Sequence, residues 1–223
     1  MISNANYLQK SLAECIGTFA LVFFGCGSMM IGANFPDTIP TSGVPVIFGA
    51  IVAAMIYTIG HISGAHFNPA VTLAFTVTRH FPVKQLPYYW VAQCLGALVA
   101  IALLSFLVPD SSEFGATIPT VPMLPAFIWE VVLSFFMMFV IIAVATDTRA
   151  EGVMAGIAIG IIVMLCAFIG GKFTGASMNP ARSLAPALFQ GTLSTMWLYV
   201  VAPSCGTILG AFTYQIIRCR SFR

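Results

Sequence analysis

The stretch SGAHFNPAVTLA, Ser63 to Ala74, returns as TGASMNPARSLA, Thr174 to Ala185, with seven of twelve positions identical in ungapped register. The shared positions include Gly64/Gly175, Ala65/Ala176 and the triplets Asn68–Pro69–Ala70 and Asn179–Pro180–Ala181. Each triplet spells a helix start. Asn caps the first turn, Pro takes the first helical position, where its missing N–H costs nothing, and apolar residues follow. A single Asn-Pro-Ala would say little. Two copies half a chain apart in a strongly apolar sequence point to an internal duplication that organises the fold.

Composition sets the environment. The 223 residues are 59% hydrophobic and 7% charged, with a mean hydropathy of +0.98. Soluble domains carry about 25% charged residues, so the chain reads as a polytopic membrane protein with lipid as its first partner. A net charge of +2 offers no basic surface for nucleic acid. The six cysteines (Cys15, Cys26, Cys94, Cys166, Cys205, Cys219) lie in or beside apolar segments, which favours buried thiols over a disulfide framework. The first apolar segment is long enough to span and is interrupted by Glu14, so it reads as a retained helix rather than a cleaved signal. No metal-ligand or catalytic constellation accompanies His61 or His66, so no metal, cofactor or enzymatic activity is expected. Either histidine could line an inner vestibule.

Six segments reach spanning length: Leu8–Ile31, Val44–Gly60, Val83–Leu107, Met123–Ala145, Gly152–Ile169 and Thr195–Ile217. Pro and Gly clusters separate them, Gly170–Gly175 among these. The apolar pieces that begin at Asn68 and Asn179 run about ten residues, too short for a hydrocarbon core of about 30 Å at 1.5 Å per residue. They read as re-entrant half-helices, tolerated at membrane depth only beside a water-filled cavity or within protein. Each half then holds two spans, a half-helix and a third span, and the odd number of crossings inverts the second half. The expected fold is one all-α membrane domain, residues 1–223, built from inverted repeats at about 7–107 and 123–218.

Lys10, Arg79, Lys84, Arg149, Arg218, Arg220 and Arg223 fall on the side of both termini, opposite Asp37, Asp110 and Glu113, with Lys172 the basic exception there outside the second half-helix. By the positive-inside rule the termini are expected in the cytoplasm. Small residues four apart, Gly49/Ala53, Gly156/Gly160, Gly96/Ala100 and Gly206/Gly210, predict two close crossings, second span on fifth and third on sixth.

With Glu14 and Glu130 in the first span of each half, HISGAHFNPAVTLAF and SMNPARSLAPAL, the chain resembles the aquaporin, or major intrinsic protein, family over essentially its whole length. The resemblance implies an hourglass channel in each protomer of a homotetramer in a cell membrane, plasma or inner. It implies that Glu14 and Glu130 accept N–H groups of the re-entrant loops. Two half-helix N-termini, each roughly +0.5 charge, would meet mid-pore and oppose cations and protons. The amides of Asn68 and Asn179 would donate to a permeating oxygen, while carbonyls of Gly64, Ala65, His66, Gly175, Ala176 and Ser177 accept. Arg182, a cation just inside a helix N-terminus where it opposes the dipole, could by itself snorkel to the outer interface, but the resemblance implies that it lines the pore.

The solute depends on the narrowest ring. The family register selects Phe48, twenty residues before Asn68, and Ala167, twelve before Asn179, with Ala176 and Arg182. Strict water channels of the family place His where Ala167 stands, and glycerol facilitators place two aromatics in the ring. One aromatic, two alanines and an arginine give a wider, amphipathic opening. If the register across Gly170–Gly175 slips by one, Phe168 replaces Ala167 and the ring narrows. SMNPARSLAPA and the closing WLYVVAPSCGTILGAFTYQIIR are similar to the nodulin-like branch and its bacterial relatives, although that branch often has Trp at the Phe48 position. The branch implies glycerol, urea and the hydroxides of arsenic, antimony, boron or silicon. The expectation is a passive channel for such neutral solutes and water that excludes protons and ions. The alternatives are a water-selective aquaporin and, further off, a secondary transporter.

Overall fold

The computed structural model describes residues 5–109, 111–147, 150 and 152–218, and Asp110, Arg149, Cys219, Arg220 and Arg223 lie outside them. Among the described residues there are eight α-helices and no strand: α1 Tyr7–Asn34, α2 Gly43–Ser63, α3 Pro69–Val77, α4 Leu86–Leu107, α5 Met123–Thr146, α6 Ala155–Thr174, α7 Pro180–Gln190 and α8 Met196–Ile217. All but α3 and α7 are long and apolar enough to cross a membrane. Those two, of 9 and 11 residues, are the short helices that follow the repeated triplets.

Local chemistry sets the ends. Asn6 and Gln9 form a reciprocal capping box that starts α1, with Gln9 N donating to Asn6 Oδ1 at 2.9 Å and Asn6 N to Gln9 Oε1 at 2.8 Å. Helices α2 and α6 stop on Gly64 and Gly175, whose φ values of +92° and +79° only glycine adopts freely. The expected loop at Gly170–Gly175 is therefore a correction. The fifth span continues as helix through Gly170 and Gly171 to Thr174 instead of ending near Ile169. At membrane depth an early stop would strand backbone groups without water, a larger cost than the roughly 1 kcal/mol that each helical glycine carries.

The glycine contacts decide the packing. A Cβ added to Gly49 would come to 2.5 Å from Gly160 O, and one on Gly160 to 2.6 Å from Gly49 O, so α2 and α6 cross with backbones nearly touching. That is the expected second-on-fifth crossing. The third span does not cross the sixth. Gly96 of α4 abuts Cys15 O of α1, while Gly206 and Gly210 of α8 abut Val131 O and Phe135 O of α5. The reason is steric: α3 and α7 each pack on both α4 and α8 and occupy the space between them. Small-residue spacing marks a close crossing without naming the partner.

Gly160→Leu should accordingly lower the unfolding temperature in detergent, at an overpacking cost of about 1–3 kcal/mol. Gly171→Ala should hold or raise it, because nothing lies within 4 Å of the Cβ it would add. Equal melting of the two variants would contradict the α2–α6 contact.

Candidate functional site

The two loops that precede α3 and α7 have the same irregular backbone. Ala65 and Phe67 carry φ of +52° and +50°, Ala176 and Met178 +44° and +51°. Such left-handed turns aim successive N–H groups into a concavity that suits an anion. A buried carboxylate fills each one. Glu14 Oε1 accepts from His66 N (2.9 Å) and Ser63 Oγ (2.7 Å), and its Oε2 from Phe67 N and Gln93 Nε2 (2.7 Å each). Glu130 Oε1 accepts from Ser177 N (2.8 Å) and Thr174 Oγ1 (2.6 Å), and its Oε2 from Met178 N (2.8 Å). The hydroxyls of Tyr89 and Tyr199 donate to the last carbonyls of α2 and α6, Ser63 O at 2.6 Å and Thr174 O at 2.8 Å.

Asn68 and Asn179, extended as residues before proline must be, cap α3 and α7. Asn68 Oδ1 accepts from Ala70 N at 2.9 Å and Asn179 Oδ1 from Ala181 N at 3.0 Å. Their amide nitrogens cross over, Asn68 Nδ2 donating to Met178 O at 2.7 Å and Asn179 Nδ2 to Phe67 O at 2.8 Å. The short helices thus meet N-terminus to N-terminus. One proton of each NH2 group is engaged in this tie, which leaves one, not two, for a passing oxygen. The carbonyls of Phe67 and Met178 are occupied in the same way.

A cavity of about 1360 Å³ runs past this junction. Phe48, Ala167, Ala176 and Arg182 border it, together with Gly64–Asn68 and Gly175–Asn179. Arg182 is 2% exposed, and its Cζ lies 5.2 Å from the centroid of the Phe48 ring. Phe48 in turn rests on Gly25 of α1, where any side chain would strike the ring. On α6, Gly160 and Met164 face α2, while Cys166 and Gly170 face Leu133 of α5. Ile159, Val163, Ala167 and Gly171, one turn apart in succession, fall between these faces and border the cavity. Phe168, one turn beyond Met164, also reaches it, from the α2 side.

Two participants have little or no mark in the sequence. Arg182 Nη1 donates to Gly115 O at 2.7 Å, so the connection between α4 and α5 folds inward to hold the guanidinium. Thr117 Oγ1 fastens the same connection to Ser183 Oγ at 2.7 Å. From α1, Met29 Sδ lies 3.3 Å from Arg182 Nη2. A lone glycine in the stretch GATIPTVP is the sole hint of the first, since Gly115 has φ +71°. An apolar residue in a membrane helix gives none for the second.

The Major intrinsic protein model matches residues 1–214. The chain belongs to the major intrinsic protein family. It is 48% identical to Nodulin-26 of Glycine max over 213 residues, 95% of this chain and 79% of that one. It is also 48% identical to the putative aquaporin NIP4-1 of Arabidopsis thaliana, over 94% of this chain and 75% of that one. In fold it is similar to the aquaglyceroporin from Plasmodium falciparum, with a TM-score of 0.86, 24% identity, and 95% and 97% of the two chains covered. This member of the family is a multi-pass membrane channel for water and small neutral solutes, not an enzyme.

The histidines take unequal places around the C-terminal end of α2. His61 is exposed on the cavity wall. His66 stacks on Phe75 with centroids 4.8 Å apart, and its Nδ1 lies 3.1 Å from Thr72 Oγ1. The Thr72 hydroxyl donates to Asn68 O at 2.9 Å and accepts from Gln93 Nε2 at 3.0 Å, which makes His66 Nδ1 a donor and leaves Nε2 an acceptor.

Glu14→Gln should destabilise the protein, because the amide presents NH2 to two donors where an oxygen accepted before. At about 1.5–3 kcal/mol for each hydrogen bond to a charged group, the unfolding temperature should fall well below that of Ser134→Ala. The Ser134 hydroxyl has no hydrogen-bond partner among the described residues. Equal melting of the two variants would remove Glu14 from its supporting part.

Proposed function

We propose that this channel passes small neutral hydroxylated solutes passively: arsenious, boric and silicic acids, glycerol and urea, alongside water. One observation carries the reading. Phe48, Ala167, Ala176 and Arg182 border one cavity, the cation 5.2 Å from the aromatic ring, and none of them is a histidine. A guanidinium opposite a ring and two methyl groups suits a molecule with hydroxyls on one edge and little charge. Such a solute exchanges water for the Asn68 and Asn179 amides and the loop carbonyls at small net cost. The paired helix N-termini and Arg182 raise the energy of cations and protons at the same place.

The same reading makes residues 1–223 one channel domain of two inverted repeats. It places both termini in the cytoplasm of a plasma or inner membrane, on the side where Lys10, Arg79, Lys84 and Arg218 gather. Four protomers associate, each with its own passage, as the family resemblance implies. A coupled transporter would need a titratable pair free to bind an ion. The carboxylate oxygens of Glu14 and Glu130 are taken up by loop donors.

Swelling of proteoliposomes in water, glycerol, urea and arsenite tests the reading. Flux should not saturate at moderate concentration nor respond to sodium or pH gradients, and accumulation against a solute gradient would overturn the channel. Ala167→His should lower glycerol and arsenite flux by roughly tenfold, the scale on which small changes in bulk alter discrimination, and spare water. Phe168→His lies about 100° further round the helix, at the α2 side of the cavity, and should lower that flux far less. The reverse result would put Phe168 in the ring and favour a water-selective channel.

Arg182→Val should keep neutral flux measurable and admit a cation or proton leak, read as collapse of an imposed pH gradient. Unaltered ion exclusion by correctly inserted protein would remove Arg182 from the filter.

A further inference from the structure

Beyond the four ring positions, one side chain touches the Arg182 guanidinium from a position on α1 that neither the repeated stretch nor the family resemblance marks. Met29 lies near the end of α1, is partly buried and borders the cavity. Its Sδ stands 3.3 Å from Arg182 Nη2. From behind it is braced by the inward connection, since a Cβ on Gly115 would come within 3.3 Å of the same sulfur. Gly115 O holds the other arm of the guanidinium at 2.7 Å, and Phe48 lies beside it. Met29 therefore lies at the depth of Arg182, between the guanidinium and Gly115.

Its neighbours on α1 leave that stretch of wall to it. Ser28, Gly32 and Ala33 border the cavity at this end and are small. In the second half the equivalent position, fifteen residues after Glu130 as Met29 is fifteen after Glu14, is Ala145, which also borders the cavity. A long side chain thus stands at one mouth and a methyl group at the other. Met is unbranched and fills irregular gaps, and its thioether is a weak, neutral acceptor. It orients Nη2 without cancelling the charge, and its side chain borders the cavity.

We infer that Met29 is a fifth wall of the constriction and limits solute size from the α1 side. The inference rests on the reading of Phe48, Ala167, Ala176 and Arg182 as the constriction. It adds a specificity-determining residue that acts on bulky solutes more than on water.

The test is the ratio of glycerol to water permeability in proteoliposomes, normalised to inserted protein. Met29→Ala should raise the ratio by roughly tenfold, the discrimination that a small change in apolar bulk produces in a pocket. Met29→Leu restores the bulk without the sulfur and should recover most of the lost discrimination. An unaltered ratio in Met29→Ala overturns the inference, and so does a Leu variant as permissive as the Ala variant, because size would then not be what Met29 controls. Ala167→His in the same preparations separates the two levels. If it lowers the ratio while Met29→Ala does nothing, Met29 alone is misassigned. If neither moves the ratio, the constriction lies elsewhere and the reading of the ring falls with it.

Discussion

The centre of this protein depends on two buried carboxylates that accept the N–H groups of irregular backbone. A membrane interior offers no water to unpaired peptide groups, so non-helical chain at that depth needs partners from the protein. Glu14 and Glu130 supply them, each to two successive N–H groups and to a side-chain hydroxyl. The exchange is mutual, because an unpaired carboxylate there would be prohibitively costly. The same contacts hold Ala65, Phe67, Ala176 and Met178 at positive φ, a conformation that costs a non-glycine residue about 1–2 kcal/mol. The left-handed residues turn each chain sharply enough for Asn68 and Asn179 to face one another. Without that turn the short helices would not meet end to end, and their dipoles would not converge.

The halves repeat this frame and then diverge where solutes pass. Gln93 gives Glu14 a fourth donor, whereas the residue at that place in α8, four after Tyr199, is Pro203. Gly17 makes room for the Phe67 ring on one side, and its counterparts on the other are Leu133 and Met178, so bulk moves across the pair. Val71 in α3 stands where α7 has Arg182. Only one mouth therefore receives a guanidinium, and at that mouth the connection between α4 and α5 turns inward. Duplication accounts for the shared scaffold. The differences between the copies give the passage its polarity.

Much of this was legible because the membrane imposes few solutions. Length and apolarity mark the spans, and Asn-Pro starts the short helices in any environment. Gly49 and Gly160 announce a close crossing, and α2 and α6 make it. The partners of Gly96, Gly206 and Gly210 could not be read in the same way. A small residue states only that a backbone comes near, while the half-helices wedged between α4 and α8 decide which backbone. Gly170 and Gly171 suggested a loop because helix propensity is a weak guide where peptide groups have no water to turn to. Gly115 and Met29 lack any periodic signal: the first lies in an aperiodic connection, and the second resembles every lipid-facing residue of its helix.

The surroundings of Arg182 explain why that aperiodic connection folds in. A buried guanidinium in a membrane pairs either with an opposite charge or with backbone carbonyls. Among the described residues its close partners are a carbonyl, a thioether and an aromatic face, all uncharged. Each satisfies direction and part of the lost hydration, and none cancels the charge. An adjacent Asp or Glu would hold the side chain as firmly and would leave the passage with almost no net field at this depth. Neutral partners must come from somewhere, and the helices alone offer few free carbonyls, because a helical C=O is already bonded. An irregular segment with a glycine at positive φ can turn one toward the guanidinium, and Gly115 does so. The connection between α4 and α5 is thus part of the electrostatics of the passage, since it fixes a positive charge in place through a neutral carbonyl rather than an ion pair.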